Sequence, residues 1–259
     1  MLNRDVVIEV RNLSVSRSGV LVLKDANFDV LKGDYVGIVG PNGGGKTTLL
    51  LAILGQIPRM SGSIRLFGKD IMDFDEWERV AFVPQDAINF DVNFPLSVRE
   101  LVSLGKLGRN KIGRKLGRRD WDEVYAALEF MGLSEVADRR IGELSGGQKQ
   151  RMFVAMALVR NPEVIILDEP VAGIDAVTQE RFYQKMSDLN QKRGITIMMA
   201  SHDLSAVFCR MSKVICVNKE VNVAEIRPDV DLEGVLRKAY GEHFHFVFHR
   251  HECEGEFKA

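Results

Sequence analysis

Val36-Gly37-Ile38-Val39, then Gly40-Pro41-Asn42-Gly43-Gly44-Gly45-Lys46-Thr47-Thr48, then Leu49-Leu50-Leu51-Ala52-Ile53-Leu54: a strand-length apolar run, a glycine-rich turn and an apolar run that opens a helix. The central stretch fits G-x-x-x-x-G-K-[ST] in the strand, loop, helix context that gives this motif its meaning. Glycines let successive backbone N–H groups turn inward around phosphate oxygens, and the N-terminus of the following helix adds partial positive charge. Lys46 then reaches the β- and γ-phosphates as a point charge, the Thr47 hydroxyl is placed to ligate Mg²⁺, and Thr48 adds a further phosphate contact. A glycine-rich turn with a chance lysine would not explain the flanking runs. A P-loop in an α/β chain follows.

The fold around a P-loop hosts many chemistries, so the rest of the chain has to choose among them. Val164-Ile165-Ile166-Leu167 is an all-apolar run ending in Asp168-Glu169-Pro170. That pattern suits a parallel strand buried on both faces, with its carboxylates at the carboxyl end where open α/β sheets bind ligands. Asp168 takes the Mg²⁺-holding role, directly or through water, and Glu169 lies one residue closer to the γ-phosphate. A second anion-directed element is Leu144-Ser145-Gly146-Gly147-Gln148 ahead of an apolar helix expected over Gln148 to Val159. Ser145 and the amides of Gly146 and Gly147 make another helix N-terminus aimed at anionic oxygen. Within one subunit that element has no phosphate to meet.

Taken in order, Gly40 to Thr48, Gln85 in Val83-Pro84-Gln85, Leu144 to Gln148, Asp168-Glu169, Asp175 and His202 resemble the motif set of ATP-binding cassette (ABC) ATPases, over about residues 5 to 225. The resemblance implies a P-loop NTPase core of ABC ATPase type with an antiparallel β subdomain and an inserted helical subdomain. It also implies ATP and Mg²⁺ as ligands, and a head-to-tail homodimer in the ATP-bound state. There the P-loop of one subunit and Ser145, Gly146, Gly147 and Gln148 of the other clasp one ATP. A two-fold pair is isologous, so both sites form together. Hydrolysis needs a water in line with the β–γ bond and a group to take its proton, for which Glu169 is the candidate. By resemblance His202, in Ser201-His202-Asp203, is the switch histidine at the γ-phosphate. Gln85 reaches Mg²⁺ or the attacking water, and Asp175 belongs to the loop that crosses the dimer interface.

One position departs from the family pattern. Where many members stack an aromatic ring on adenine, this chain offers Arg17 in Ser16-Arg17-Ser18, with Val22 to pack the ribose. A guanidinium plane can stack on a base, and an exposed surface charge reads equally well.

Composition narrows the setting. The 259 residues suffice for one domain with a substantial core, and a net charge of −1 argues against nucleic acid as a partner. Cys209, Cys216 and Cys253 are too few and odd in number for a disulfide framework, which fits a reducing cytosol. No signal-like segment precedes Arg4 and no run of about 18 apolar residues is present, so the expectation is a peripheral subunit on the cytoplasmic face of the cell membrane whose channel is carried by other chains.

The organisation expected is an ABC ATPase domain over residues 1–227, with its helical subdomain at about 86–160, then a helix and histidine-containing tail over 228–259. The doubly wound core runs from a strand at Val6 to Leu13 to one near Lys213 to Val217, with a late helix at Leu232 to Tyr240. Between Gln85 and Leu144, Ser97-Val98-Arg99-Glu100 opens a helix with a capping-box pattern. Asp120-Trp121-Asp122-Glu123 opens another, with Val124, Ala127, Leu128 and Met131 on one face. The resemblance places the contact with a membrane permease around Asp86 to Arg99, with Phe90, Phe94, Pro95 and Leu96 as exposed anchors or, alternatively, as core. Lys106, Arg109, Lys111, Arg114, Lys115, Arg118 and Arg119 read as a solvated loop, with anionic headgroups as a second possibility.

Four of the five histidines fall in the last seventeen residues: His243, His245, His249 and His251, followed by Cys253. In an extended strand they share one face, opposite Phe244, Phe246 and Phe248. Imidazole and thiolate suit Zn²⁺, whereas the bland alternative is an amphipathic tail strand. With Ala172-Gly173-Ile174-Asp175 and Phe94-Pro95-Leu96-Ser97-Val98, this tail resembles the ATPases of zinc and manganese importers, which work with an integral membrane permease and an extracytoplasmic metal-binding protein. Uptake of an iron chelate or cobalamin stays open, since the ATPase never touches cargo. A non-transport ABC protein acting on ribosomes or DNA is the alternative from another class, but about sixty residues between Gln85 and Leu144 are too few for a coiled-coil arm.

Overall fold

The computed structural model describes residues 5–88, 94–107, 115–227 and 231–241. Its first strands, β1 (Val6–Arg17) and β2 (Val20–Leu31), form a long hairpin around Ser18 and Gly19, both with positive φ. That turn geometry matches the right-handed twist of paired strands. β1 runs four residues beyond the expected Leu13, because Val15, Ser16 and Arg17 pair with Leu23, Leu21 and Val20 of β2. Next come β3 (Tyr35–Val39), α1 (Lys46–Ile53), β4 (Ser61–Leu66), β5 (Lys69–Asp70) and β6 (Val80–Val83). A helical stretch follows with α2 (Val98–Leu104), α3 (Arg118–Phe130) and α4 (Gly146–Leu158). The chain then runs through β7 (Val164–Asp168), α5 (Ala176–Arg193), β8 (Thr196–Ala200), α6 (Leu204–Arg210), β9 (Lys213–Asn218), β10 (Glu220–Glu225) and α7 (Leu232–Tyr240).

Two sheets result. The antiparallel one has the order β2-β1-β4-β5, and the other has the order β10-β9-β3-β8-β7-β6. In the second, β9, β3, β8, β7 and β6 are parallel and β10 closes the edge as an antiparallel hairpin with β9. β3, β7 and β8 are buried along their whole length, which is why they read as near-continuous apolar runs, broken only by Asp168 at the end of β7 and Thr196 at the start of β8. The period of two along each strand divides their side chains between two cores. Val36, Ile38, Val164, Ile166, Met198 and Ile215 face α1 and the antiparallel sheet. Tyr35, Val39, Ile165, Leu167, Ile197 and Val214 face the helices on the other side.

Helix starts follow their caps. Ser97 accepts the Glu100 amide and Glu100 accepts the Ser97 amide at 2.8 Å, so the capping box at α2 forms as its sequence suggests. α3 begins two residues before the expected Asp120. Gly117 stands at the cap, and Asp120 reaches back to accept the Gly117 amide at 2.9 Å. α4 likewise begins at Gly146 rather than Gln148, with Ser145 and Gln148 completing a second capping box.

Two surface readings change. Lys106 is not solvated: its ammonium bonds the Val159 carbonyl at 2.9 Å and pairs with Glu123 of α3, leaving the side chain 10% exposed. Its partners lie far along the chain, so the local run of basic residues gave no sign of them. Arg118, Arg119 and Lys115 are exposed, whereas Arg109, Lys111 and Arg114 lie outside the described residues. Among the apolar anchors, Phe94 and Pro95 are exposed and Phe90 lies outside the described residues. Leu96 is drawn inward against the helical core, where its carbonyl accepts the Ile141 amide at 3.2 Å.

Candidate nucleotide site

The glycine-rich loop leaves β3 and enters α1, whose cap, Gly45, has φ +109° and offers no side chain to the first-turn amides. Those N–H groups are the ones a helix cannot satisfy itself. Lys46 is buried, and its ammonium folds back to the carbonyls of Gly40 at 3.0 Å and Pro41 at 3.3 Å, with Glu169 at 3.5 Å. Thr48 is buried, Thr47 half-buried, and Asn42 and Gly43 lie exposed at the tip of the loop. Gly44 carries the loop past β9, its carbonyl accepting the Lys219 amide at 3.3 Å.

The parallel sheet delivers the acids. Asp168 ends β7 at 2% exposure, and its Oδ1 has no hydrogen-bond partner among the described residues. Burial pushes the Asp168 carboxyl above its ordinary range, while the Thr47 hydroxyl pulls the other way. Glu169 follows in the left-handed region at φ +47°, a conformation that stores strain in a residue with a Cβ. Its amide is held by the Ala200 carbonyl at 3.1 Å, which turns the side chain toward three of the predicted residues. His202 Nε2 lies 2.6 Å from Glu169 Oε1, Gln85 Nε2 donates to Oε2 at 3.2 Å, and Lys46 approaches Oε1. Gln85 opens a short 3₁₀ turn directly after β6, and His202 follows β8, so adjacent parallel strands aim these groups at one point.

Ser145, Gly146, Gly147, Gln148 and Asp175 gather elsewhere. Asp175 caps α5 by accepting the Thr178 amide at 3.0 Å, and that bond lowers its pKa. A Cβ on Gly147 would come within 2.7 Å of the Thr178 methyl, so only glycine lets the start of α4 sit this close to α5. Ser145 and Gly146 are exposed. Among the described residues, no hydrogen bond or ion pair joins this second group to the P-loop. Val22 lies against Gly45, and Arg17 is exposed at the corner of the first hairpin. His243, His245, His249, His251 and Cys253 lie outside the described residues.

Two supports had no local signal in the sequence. The Tyr183 hydroxyl on α5 meets Ser201 Oγ at 2.9 Å, and Ser201 also accepts the Asp203 amide at 3.0 Å, bracing the turn that carries His202. The Tyr240 hydroxyl accepts the Gly40 amide at 3.0 Å. Both pairs join distant parts of the chain, and neither tyrosine belongs to a motif.

The family whose sequence profile matches residues 23–172 is described as ABC transporter. This chain belongs to the ABC transporter family. The zinc uptake system ATP-binding protein ZurA of Listeria monocytogenes is 39% identical over 215 residues, 83% of this chain and 84% of that protein. The manganese transport system ATP-binding protein MntB of Bacillus subtilis is 39% identical over 197 residues, 76% of this chain and 77% of that one. A dimeric bacterial ABC transporter cassette superposes with a TM-score of 0.72 at 26% identity, covering 85% of this chain and 99% of the other. ATP hydrolysis is the activity of this ABC protein, and the mixed sheet and flanking helices are those of the family. Among the described residues no helix is long and apolar enough to cross a membrane.

Proposed function

We propose that this chain is the ATP-hydrolysing subunit of an importer for divalent metal ions, with zinc ahead of manganese as cargo. It works from the cytoplasmic face of the membrane with an integral permease, which receives metal from an extracytoplasmic binding protein. The observation carrying the cargo class is the identity to zinc and manganese transport ATP-binding proteins over three quarters or more of the chain. The histidine-bearing tail adds to it.

The residues present fit Mg²⁺: a buried carboxylate oxygen without a partner stands at the strand end, with the Thr47 hydroxyl beside it. Thr47 and Asp168 would hold the ion, with Gln85 in reach. Bound there, Mg²⁺ would neutralise charge developing on the β- and γ-phosphate oxygens. The chain's own groups do the rest. Lys46 trades the Gly40 and Pro41 carbonyls for phosphate oxygens. Glu169 accepts the proton of the attacking water, and His202 and Gln85, already gathered on its carboxylate, hold that water in line. Ser145 and the amides of Gly146 and Gly147 close over the γ-phosphate of the ATP held by a second copy, and Asp175 crosses between the two sites. Arg17 and Val22 flank the base and ribose.

The tail residues His243, His245, His249, His251 and Cys253 supply donors suited to Zn²⁺, and bound metal would lower activity when cytosolic metal is plentiful. Uptake of zinc, manganese and iron in cells deleted for this chain tests both points. Re-expressing the chain restores zinc or manganese uptake, and a version ending at Gly241 keeps importing in metal-replete cells where the full chain slows. Loss of iron-chelate or cobalamin uptake with zinc and manganese unaffected would refute the cargo, and identical shut-off in the two versions would refute the sensor.

A further inference from the structure

Gly40, the first residue of the phosphate loop, is held from both sides by groups distant in kind. Its buried amide donates to the Tyr240 hydroxyl at 3.0 Å, and its carbonyl accepts the Lys46 ammonium at 3.0 Å. The backbone between them passes close against β9. Gly40 has φ +152°, and a Cβ there would stand 2.0 Å from the Val217 carbonyl oxygen of β9. Tyr240 is itself anchored: α7 lies against β9 and β10, Leu236 one turn earlier is fully buried in the helix-side core, and Tyr240 packs on that core. The phenol is half-buried, and burial raises its pKa, so the hydroxyl stays neutral.

We propose that Tyr240 is a positioning residue for ATP, holding the first peptide of the phosphate loop in its binding geometry. The proposal rests on ATP binding at the P-loop. When phosphates draw Lys46 away, the Gly40 carbonyl loses its ammonium, and the Tyr240 bond is the remaining side-chain hold on that residue. A buried amide deprived of its acceptor makes the free loop relax, and nucleotide must then reorder it. Tyr240 touches no reacting atom. Removing its hydroxyl therefore weakens ground-state and transition-state binding alike, raising KM and leaving kcat in place.

Tyr240→Phe keeps the ring and removes the acceptor. Calorimetric titration of the full chain with MgATP should give a Kd about tenfold weaker, equivalent to about 1.4 kcal/mol. KM rises in parallel, while kcat at saturation and Tm stay close to the parent's. An unchanged Kd, with or without a lower Tm, would mean that Tyr240 only packs, and overturns the proposal. Failure of the unsubstituted chain to bind ATP would instead overturn the phosphate assignment and take the proposal with it. Should the variant be too unstable to titrate, hydrogen exchange at the Gly40 amide of the unsubstituted chain decides. Protection with MgATP bound is expected, and exchange as fast as that of an exposed turn amide contradicts the role.

Discussion

Asp168 sets stability against chemistry within one side chain. Buried at the end of a strand with Oδ1 unpartnered, it has its carboxyl pKa raised above 3.8 by burial first, with Glu169 and Asp86 adding to the rise. A carboxyl raised in the native state binds more protons folded than unfolded. Stability therefore falls as pH climbs through the window between the ordinary and the raised value, and the cost is complete above it. Asp168→Asn, neutral at every pH, should melt higher than the parent at about pH 7, with the gap narrowing toward about pH 4 as the parent's carboxyl protonates. The same variant should lose Mg²⁺-dependent hydrolysis. Scanning calorimetry across that range and a phosphate-release assay read the two effects, and a lower Tm at neutral pH would show that the buried charge costs nothing. Glu169 stores strain next door: a non-glycine residue in the left-handed region costs on the order of 1 kcal/mol, held here by the Ala200 carbonyl.

Elements α2 and α4 open with the same device, a serine cap and a side chain three residues on that reaches back. Ser97→Ala should cost about 1 kcal/mol, or roughly 2–4 °C in Tm, and leave hydrolysis intact well below the melt. Ser145→Ala should cost similar stability and, under the phosphate-facing role proposed for its hydroxyl and the following amides, lower hydrolysis at least about tenfold. Equal turnover in the two variants would leave α4 an ordinary helix. The box at Ser97 was legible because everything it needs lies within four consecutive residues, whereas Ser145 and Gln148 were read for their anion-directed chemistry and the box they form, which starts α4 at Gly146, was not. β3 and β7 were legible too, since burial on both faces writes itself as the apolar runs Val36 to Val39 and Val164 to Leu167. The start of α3 was not, since Asp120 looks like a cap and Gly117, which caps without a side chain, does not. The second half of β1 escaped although Leu13 and Val15 alternate with Ser14 and Ser16: the pattern is short and ends on Arg17, and pairing with β2 and β4 carries the strand through it.

Across the whole molecule the nucleotide residues fall into two groups. Lys46, Thr47, Asp168, Glu169, Gln85 and His202 converge at the ends of parallel strands, while Gly147, two residues after Ser145 at the start of α4, lies against Thr178 in the first turn of α5, which Asp175 caps. The candidates in each group are named by contiguous motifs. Their convergence on Glu169, and the Tyr240 hydroxyl meeting Gly40 from 200 residues away, belong to tertiary structure and left no local mark. On the proposed function the two groups meet on one ATP only across a pair of chains facing opposite ways. The most direct measurement is the structure of the Glu169→Gln chain with MgATP, a variant expected to bind nucleotide and to hydrolyse it at least about a hundredfold more slowly. Two copies are predicted, each ATP lying between Lys46 of one and Ser145 of the other. A single chain turning over ATP at full rate, with Ser145 remote from every triphosphate, would contradict it.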